Sequence, residues 1–367
     1  MYTLSLEIIN KCNLNCRYCY LGEKKNTYMS FENAKKVIDI AAHEAQKQYD
    51  RTLVVYFIGG EPLMAYESIK KIVVYVRETC DDKGLQFLFS TTINGTLLTK
   101  EIMEFLIENN FELKLSLDGP EHVHNLNRQD YMGRGSFKCI MEKLPLIRQF
   151  EKETGKSVSA AHVVTQNNYK YFKESFEFLL DLGFIHIETG IDHYCEWSSE
   201  EKEELREITE QVFLCYRDYM IRTKTALFWN LAEQYLRAYL YPVGVYSCHA
   251  GVNNVFVTTD GNIYTCVEID EFKIGTADGG LNVPRIREIA FCNDKINKRC
   301  QDCDYIKHCK TRTCFASNFE INKDFFEPVE ISCYMTKCFL KLIPQYMSEK
   351  QLQLMKCHYD ERRKKNA

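Results

Sequence analysis

The first half of the chain alternates between two hydrophobic patterns, and this alternation limits the folds that are open to it. Six segments rich in Val, Ile, Phe and Leu predict strands, at residues 2–9, 53–58, 86–92, 112–117, 157–164 and 184–188. Helical patterns lie between them, at residues 31–48, 66–81, 99–109, 136–153 and 168–182. Strand–helix alternation predicts a parallel sheet with helical crossovers, and six units fit an α/β fold in the form of a partial (β/α)6 TIM-like barrel.

Residues at the ends of the predicted helices support these bounds. Polar side chains that can cap a helix N-terminus precede three of the helices, namely Ser30, Thr99 and Asn168. Glycines that can end a helix follow three of them, namely Gly84, Gly155 and Gly183.

The second half of the chain has a different composition. A capping box of Ser198 and Glu201 predicts a long charged helix over 199–223, and a second helical stretch covers roughly 226–240. The sequence beyond is rich in cysteine and turns and short of long periodic segments, until a helical tail that ends in basic residues. We therefore divide the chain into a barrel (1–225), a linker helix with a cysteine-rich domain (226–343) and a tail (344–367).

Composition and charge exclude several classes of protein. The 367 residues are 45% hydrophobic and 13% aromatic, which is enough for a large core. The net charge of −4 gives no reason to expect nucleic acid as a partner. No apolar run approaches the length that spans a membrane, and the chain enters a strand at once rather than a signal peptide. We expect a cytoplasmic protein with no membrane or nucleic-acid partner.

The chain contains 17 cysteines, which in a long leaderless protein indicate metal ligation rather than a disulfide scaffold. Seven of them are scattered singly, and most of these seven are expected to be buried packing residues, namely Cys80, Cys139, Cys195, Cys215, Cys292, Cys338 and Cys357. The other ten fall in ordered clusters, which predicts that these ten bind metal.

The first cluster directly follows the first predicted strand. Cys12, Cys16 and Cys19 are spaced C-x3-C-x2-C, with Tyr18 before the last cysteine. Three thiolates on one loop can hold three irons of a 4Fe–4S cluster and leave the fourth iron open to a small molecule. Structural zinc is the alternative, but zinc normally takes four ligands, and no fourth Cys or His lies within the loop.

This loop resembles that of the radical S-adenosylmethionine (SAM) superfamily. The resemblance implies that SAM binds the open iron and is cleaved to a 5′-deoxyadenosyl radical, with Cys12, Cys16 and Cys19 as the catalytic cluster ligands. It also implies a SAM-binding face on the loops after the next strands. There Gly59 to Pro62 would meet the SAM amino group, Ser116 the ribose and Arg128 the carboxylate. The full set of implied SAM-binding residues is Tyr18, Gly59, Gly60, Glu61, Pro62, Asn94, Ser116, Asp118 and Arg128.

The run that begins at Ser116 narrows the resemblance. It reads S-x-D-G-P-x3-H-x3-R-x4-G-x-G-S-F and is similar to the anaerobic sulfatase-maturating enzymes and to related peptide-modifying radical SAM enzymes. Asn125 stands where that family often has Asp. His122 and His124 in this run are expected to pack the loop or the SAM pocket rather than to bind a metal.

The C-terminal cysteines resemble a SPASM domain, an extension that holds two auxiliary 4Fe–4S clusters. Cys248 and Cys266 form the pattern C-x12-G-x4-C, and four further cysteines are spaced C-x2-C-x5-C-x4-C, with one residue more than usual in the third gap. The resemblance implies that one auxiliary cluster is held by Cys300, Cys303, Cys309 and Cys333, and the inner one by Cys248, Cys266 and Cys314. The inner cluster then either has an open iron, to which a substrate thiol can bind, or takes Cys338 as its fourth ligand. A zinc ribbon on Cys300 and Cys303 is the alternative to the whole array.

Two enzyme functions fit these residues. In the favoured one, the chain installs a radical-based modification in a ribosomally synthesised precursor peptide, most simply a Cys thioether or another crosslink, with an external electron donor of the flavodoxin or ferredoxin type. In the other, it oxidises a Cys or Ser of a sulfatase to formylglycine. That family has an Asp base directly after the G-x4-C cysteine, where this chain has Val267, while Glu268 and Asp270 are out of register. Cys195 and Cys215 are candidate hydrogen donors if the reaction is an epimerisation. An iron–sulfur electron carrier is the non-enzyme alternative.

Overall fold

The N-terminal half of the computed structural model is a curved parallel sheet with helical crossovers. The structure describes residues 1–244, 248–266, 268–291 and 296–365. The first seven strands are β1 (Tyr2–Ile9), β2 (Thr52–Gly59), β3 (Gln86–Ile93), β4 (Glu112–Ser116), β5 (Ser159–Val164), β6 (His186–Ile191) and β7 (Phe228–Trp229). Each pairs in parallel with the next. The predicted α/β partial barrel is confirmed.

The helices of this half lie close to their predicted positions. They are α1 (Phe31–Gln46), α2 (Tyr66–Lys83), α3 (Lys100–Glu108), α4 (Glu121–Asn127), α5 (Phe137–Thr154), α6 (Phe172–Asp181), α7 (Ser199–Thr223) and α8 (Asn230–Leu240). The side chains of Ser30 and Thr99 cap α1 and α3, and the capping box at the start of α7 is formed. The prediction for Asn168 is wrong: its Oδ1 accepts the backbone N–H of Thr165 at 2.7 Å, and α6 begins only after a 3-10 turn.

The helix predicted from 226 begins four residues later, because Trp229 is drawn into the sheet. Its side chain is fully buried, and its ring packs edge-on against Phe176 and Phe339. Its indole Nε1 donates a hydrogen bond of 2.8 Å to Thr189 of β6. Residues 228 and 229 therefore form a seventh strand rather than the first turn of a linker helix.

The cysteine-rich region continues the same sheet from its other edge. Its strands are β8 (Asn254–Val257), β9 (Asn262–Tyr264), β10 (Lys273–Thr276) and β11 (Gly280–Leu281). β8 pairs in parallel with β1, and the order is β11-β10-β9-β8-β1-β2-β3-β4-β5-β6-β7. The cysteine-rich region is thus joined to the barrel by backbone hydrogen bonds.

In the described ranges five more helices follow α8, and the sequence predicted only the last of them, in the tail. They are α9 (Val283–Ala290), α10 (Lys298–Gln301), α11 (Phe315–Asn322), α12 (Glu330–Tyr346) and α13 (Glu349–Lys365). The 17-residue α12 contradicts the expectation that this region lacks long periodic segments. Its apolar side, with Ile331, Met335 and Phe339 buried, packs in the core beside α7 and α8. The helix runs through residue 343, where a domain boundary is predicted, and the three domain bounds remain predictions. No helix in the described ranges has the length and apolarity needed to cross a membrane.

Candidate active site

The loops after β1, β2, β3 and β4 meet at one edge of the sheet, and the predicted cysteine loop lies there. The segment after α4 holds this loop from outside. The backbone N–H of Asn15 donates to the Gln129 carbonyl at 2.7 Å, and that of Arg17 to the Asn127 carbonyl at 3.1 Å. A parallel sheet gathers strand C-termini on one edge, so the chemistry predicted for these loops is brought together.

The three thiols of the loop are close enough to influence one another. Cys12 is buried, and Cys16 and Cys19 are half-buried. Burial raises the pKa of Cys12 to about 11, the Cys16 thiol raises it further, and the Cys19 thiol raises the pKa of Cys16. The backbone N–H of Leu14 donates to the Cys12 sulfur at 3.4 Å. An amide donor and three neighbouring sulfurs fit the thiolate ligation that an iron–sulfur cluster needs.

Gly59 and Gly60 bring the second loop against the first. A Cβ atom on Gly59 would lie 2.0 Å from the Ile9 carbonyl oxygen, and one on Gly60 would lie 2.1 Å from the Lys11 carbonyl oxygen. The Gly60 N–H donates to the Ile9 carbonyl at 2.8 Å. Glycine is needed at both positions because the backbone after β2 lies directly against the backbone after β1. The sequence had predicted that this segment lies against a ligand.

Glu61 ties the second loop to the third. Its side chain is 1% exposed, and its two oxygens accept the backbone N–H groups of Leu63 at 3.1 Å and Asn94 at 2.7 Å. Burial raises the pKa of this carboxyl group to about 7. Asn94 in turn donates through Nδ2 to Asn13 of the cysteine loop at 2.8 Å. Glu61 therefore holds the loops after β2 and β3 together. The sequence predicted a contact between Glu61 and an ammonium group of a ligand, and it did not indicate these backbone hydrogen bonds. Pro62 follows as the first residue of a 3-10 turn, Pro62–Ala65.

Tyr18, Asp118 and Arg128 form a cluster of charge beside the cysteine loop. Nε of Arg128 lies 3.1 Å from Oδ1 of Asp118, and the Tyr18 hydroxyl donates to Oδ2 of Asp118 at 2.7 Å. The guanidinium also lies over the Tyr18 ring, 5.3 Å from its centroid. Its buried Nε–H has no hydrogen-bond partner of good geometry in the described part of the chain. A buried cation with an unsatisfied donor fits an anionic ligand, such as the carboxylate of SAM.

His124 links Asp118 to Ser136 and Arg128 by hydrogen bonds that the sequence did not predict. Its Nδ1 accepts the backbone N–H of Asp118 at 3.2 Å, and its Nε2 lies 2.9 Å from the Ser136 hydroxyl, which donates to the Arg128 carbonyl. Burial lowers the pKa of His124 to about 4, so the ring is neutral at pH 7. Since Nδ1 accepts a hydrogen bond, the single ring proton of the neutral His124 lies on Nε2. His124 packs the loop, as predicted, and Ser116 is buried nearby at the end of β4.

The C-terminal cysteines separate into two groups in the structure. Cys314 and Cys248 act on the pKa of Cys266, and these three cysteines are exposed. The other four also interact with one another and are half-buried, namely Cys300, Cys303, Cys309 and Cys333. This division is the one that the sequence predicts. Among the described residues, no three His, Cys, Asp or Glu side chains converge on a single-ion site.

A cavity of about 410 Å³ lies between the inner cysteines and the barrel. Cys248 and Cys314 line it on one side, and Ile191 at the end of β6 lines it on the other. Cys338 does not line it, and the charges that act most on its pKa are those of Arg206 and Lys341. These observations count against Cys338 as a ligand of the inner group.

A protein-family model that matches the N-terminal half of the chain identifies its family. The model of the Radical SAM superfamily matches residues 6–194, just over half of the chain. The chain belongs to the Radical SAM superfamily. It is therefore a radical SAM enzyme, and membership implies a 4Fe–4S cluster and SAM as cofactors, as the cysteine loop predicts. Val267 and Cys292 lie outside the described residues, so the observation on the missing Asp base rests on the sequence alone.

Similar proteins include a sulfatase-maturating enzyme and a protein bound to a precursor peptide. The chain is 26% identical over 357 residues to a cysteine-type anaerobic sulfatase-maturating enzyme of Clostridium perfringens (strain 13 / Type A), covering 86% of this chain and 92% of that enzyme. The structure of native anSMEcpe with bound AdoMet and Cp18Cys peptide matches with a TM-score of 0.74 at 22% identity, over 93% of this chain and 96% of that one. Streptococcus suis SuiB bound to precursor peptide SuiA matches with a TM-score of 0.59 at 16% identity, over 90% of this chain and 75% of that one. The two structures share the fold of this chain along most of its length.

Proposed function

We propose that this radical SAM enzyme installs a crosslink, a Cys thioether in the simplest case, in a ribosomally synthesised precursor peptide. The observation that carries the proposal is the inner group of three exposed cysteines beside a cavity that reaches the end of β6. Three thiolates leave one iron of a 4Fe–4S cluster without a protein ligand, and a substrate thiol suits that iron.

The barrel residues are assigned to the radical step. Cys12, Cys16 and Cys19 hold the first cluster, which supplies the electron that cleaves bound SAM to a 5′-deoxyadenosyl radical. Arg128 binds the SAM carboxylate through its buried guanidinium, which Asp118 and Tyr18 hold in place. Glu61 and Asn94 keep the loops at the distance that the SAM site requires.

The C-terminal cysteines are assigned to two auxiliary 4Fe–4S clusters. Four thiolates close the outer cluster, which suits electron transfer, whereas the inner cluster binds the substrate thiol and accepts the electron that the substrate loses. A flavodoxin- or ferredoxin-type protein supplies electrons from outside. The partner is a Cys-containing peptide. The neighbouring structures support a peptide partner, since anSMEcpe is bound to Cp18Cys peptide and SuiB to precursor peptide SuiA.

Formylglycine formation on a sulfatase is the second candidate, because a sulfatase-maturating relative aligns over 86% of the chain. That reaction needs a base for the substrate thiol or hydroxyl, and the family's Asp is replaced by Val267. We therefore rank it second.

The test is the product that the reconstituted enzyme makes from two peptides. Reduced enzyme with SAM is given either Cp18Cys peptide or a synthetic copy of the Cys-containing peptide encoded nearest to its gene. A thioether product keeps its sulfur, loses two hydrogen atoms and carries no aldehyde, as high-resolution mass spectrometry and hydrazine labelling report. An aldehyde with loss of sulfur from Cp18Cys would contradict the first candidate and favour the second.

A further inference from the structure

Lys310 is the only residue with a formal charge among the described residues that line the 410 Å³ cavity. It lies in the segment between Cys309 and Cys314, which is the longer third gap of the C-terminal cysteine pattern. Cys248 and Cys314 of the inner group line the same cavity, and the described lining contains no Asp or Glu. The cavity therefore presents a cation and no carboxylate beside the inner cysteine group.

The ammonium group of Lys310 has no protein partner in the part of the chain that the structure describes. It donates no hydrogen bond there and forms no ion pair. The side chain is half-buried, so water solvates it only in part. A partly desolvated cation without a counter-ion costs free energy, and a bound anion offsets that cost. Lys310 is therefore suited to an anionic ligand.

Hydrogen bonds fix the backbone that carries Lys310. The Lys310 carbonyl accepts the backbone N–H of Thr313 at 3.0 Å and the Thr313 hydroxyl at 2.8 Å. The Thr311 hydroxyl lies 2.9 Å from the hydroxyl of Thr336, a buried residue of α12. Met335 of the same helix lines the cavity. The segment is thus held against a cavity wall, and Lys310 is presented from a fixed position.

Apolar atoms form most of the remaining cavity surface. They come from Leu231 of α8, Phe339 of α12 and Ile191 at the end of β6, among others. A cavity of this size, with apolar walls and few polar groups, is typical of a ligand site. The apolar walls suit the methylene groups of an acidic side chain, and Lys310 suits its carboxylate.

We propose that Lys310 binds a carboxylate of the substrate peptide close to the cysteine whose thiol binds the inner cysteine group. The proposal rests on the proposed function, since it requires a Cys-containing peptide in this cavity. Neighbouring peptide residues are about 3.8 Å apart, so a carboxylate one or two positions from the cysteine can share the cavity with it. An acidic side chain or the C-terminus of the peptide can supply this group.

The rival partner of the ammonium group is the anionic cluster that Cys248 and Cys314 would hold. In that role Lys310 would offset the charge of the cluster and would not select among peptides. The two roles differ in one ratio, the affinity for an acidic peptide relative to that for its neutral isostere. Loss of a counter-charge for the cluster would change the binding of both peptides alike, whereas loss of a carboxylate-binding residue changes the ratio.

Isothermal titration calorimetry of the reconstituted holoenzyme at pH 7 and low salt measures this ratio. The probes are acetyl-GECEG-amide, its neutral isostere acetyl-GQCQG-amide and the cationic acetyl-GKCKG-amide, which are symmetric so that either peptide direction is covered. The wild type should bind the Glu peptide at least about 10-fold more tightly than the Gln peptide, because a charge-assisted hydrogen bond is added.

Four variants test the source of this preference. Lys310→Met should reduce it below about 2-fold, Lys310→Arg should retain most of it, and Lys310→Glu should favour the Lys peptide over the Glu peptide. Lys307→Met is the matched control and should keep the wild-type ratio, because Lys307 is an exposed lysine three residues away that does not line the cavity.

A further pair of probes distinguishes the two sources of the carboxylate. Acetyl-GQC is compared as the free acid and as the amide. If the wild type binds the acid more tightly and Lys310→Met does not, the C-terminus of a peptide can supply the group. If acid and amide bind equally while the Glu peptide is preferred, the group comes from an acidic side chain.

The proposal is overturned if the wild type distinguishes neither Glu from Gln nor acid from amide. A preference that persists in Lys310→Met also overturns it, as does a loss of iron in Lys310→Met with an unchanged ratio, which would assign Lys310 to the cluster. A wild type that binds none of the probes overturns it as well. If that wild type still forms a thioether in the product assay, the proposed function survives. A Glu preference without any crosslinked product would instead remove the proposed function and leave the carboxylate site standing.

Discussion

The cysteine loop of the barrel and the inner cysteine group of the C-terminal region lie in opposite surroundings. Cys12 is buried, and the loop around it is bonded to a wall of buried polar residues that includes Asp118 and Arg128. Cys248, Cys266 and Cys314 come from three separate segments and are exposed beside a cavity. This difference in burial supports the proposal that the first site encloses a small cofactor, whereas the second leaves space for a large substrate.

The largest effect is expected from removal of one barrel cysteine. Cys16→Ala should lower the formation of 5′-deoxyadenosine by more than about 100-fold and remove about four irons per chain, because the loop has no spare thiolate. Iron content and chromatography of the products measure both. Cys357→Ala, an exposed cysteine of the tail, is the control and should change neither. If Cys16→Ala forms 5′-deoxyadenosine at the wild-type rate, the assignment of this loop to the SAM-cleaving cluster is wrong.

Removal of an inner cysteine should separate the two sites. Cys314→Ala should also lose about four irons, yet it should keep at least about half of the wild-type SAM cleavage, because the barrel site is intact. Peptide modification should be lost. The same iron count and the same assay test this, and a loss of SAM cleavage as large as in Cys16→Ala would show that the two sites are not independent.

The buried ion pair of the barrel wall should matter for stability even without cofactors. Arg128→Met leaves Asp118 as an unpaired buried charge, which should cost about 3–5 kcal/mol in the free energy of unfolding of the apoprotein. Adding Asp118→Asn should recover part of the loss. Arg134→Met removes an exposed ion pair with Asp130 and should cost less than about 1 kcal/mol. If urea unfolding shows similar losses of stability in Arg128→Met and Arg134→Met, the ion pair of Arg128 and Asp118 is not shielded from solvent.

The smallest effect concerns pH. Burial lowers the pKa of His162 to about 4, so the unfolded chain, with a histidine pKa near 6.5, binds more protons than the folded one between these values. Stability is therefore lost as the pH falls below 6.5, by roughly 2 kcal/mol at pH 5. Urea unfolding at pH 7 and pH 5 should show a smaller loss in His162→Gln than in the wild type. An equal loss would show that His162 is not buried in its neutral form.

The sequence predicted the parts of this molecule that depend on local pattern. The bounds of β1 and the caps at Ser30 and Thr99 follow from residues next to one another in the chain. The two C-terminal cysteine groups were separable because a family pattern assigns each spacing, and the electrostatic contacts agree with that division.

The sequence could not predict what depends on contacts between distant residues. Trp229 joins the sheet because of Phe176 and Phe339, and neither is visible in the local pattern around 229. Glu61 was assigned to a ligand, but its oxygens accept backbone N–H groups that only the folded chain brings to it. The Tyr194 hydroxyl donates a hydrogen bond to Glu320, which is 126 positions away in the chain, so no spacing rule could have predicted this contact.

The formation of 5′-deoxyadenosine by the reduced, reconstituted protein tests the central claim most directly. We predict that the wild type cleaves SAM, that a Cys-containing peptide increases the rate, and that Cys16→Ala does neither. A protein that carries its full iron content and yields no 5′-deoxyadenosine, with or without peptide, would contradict the account.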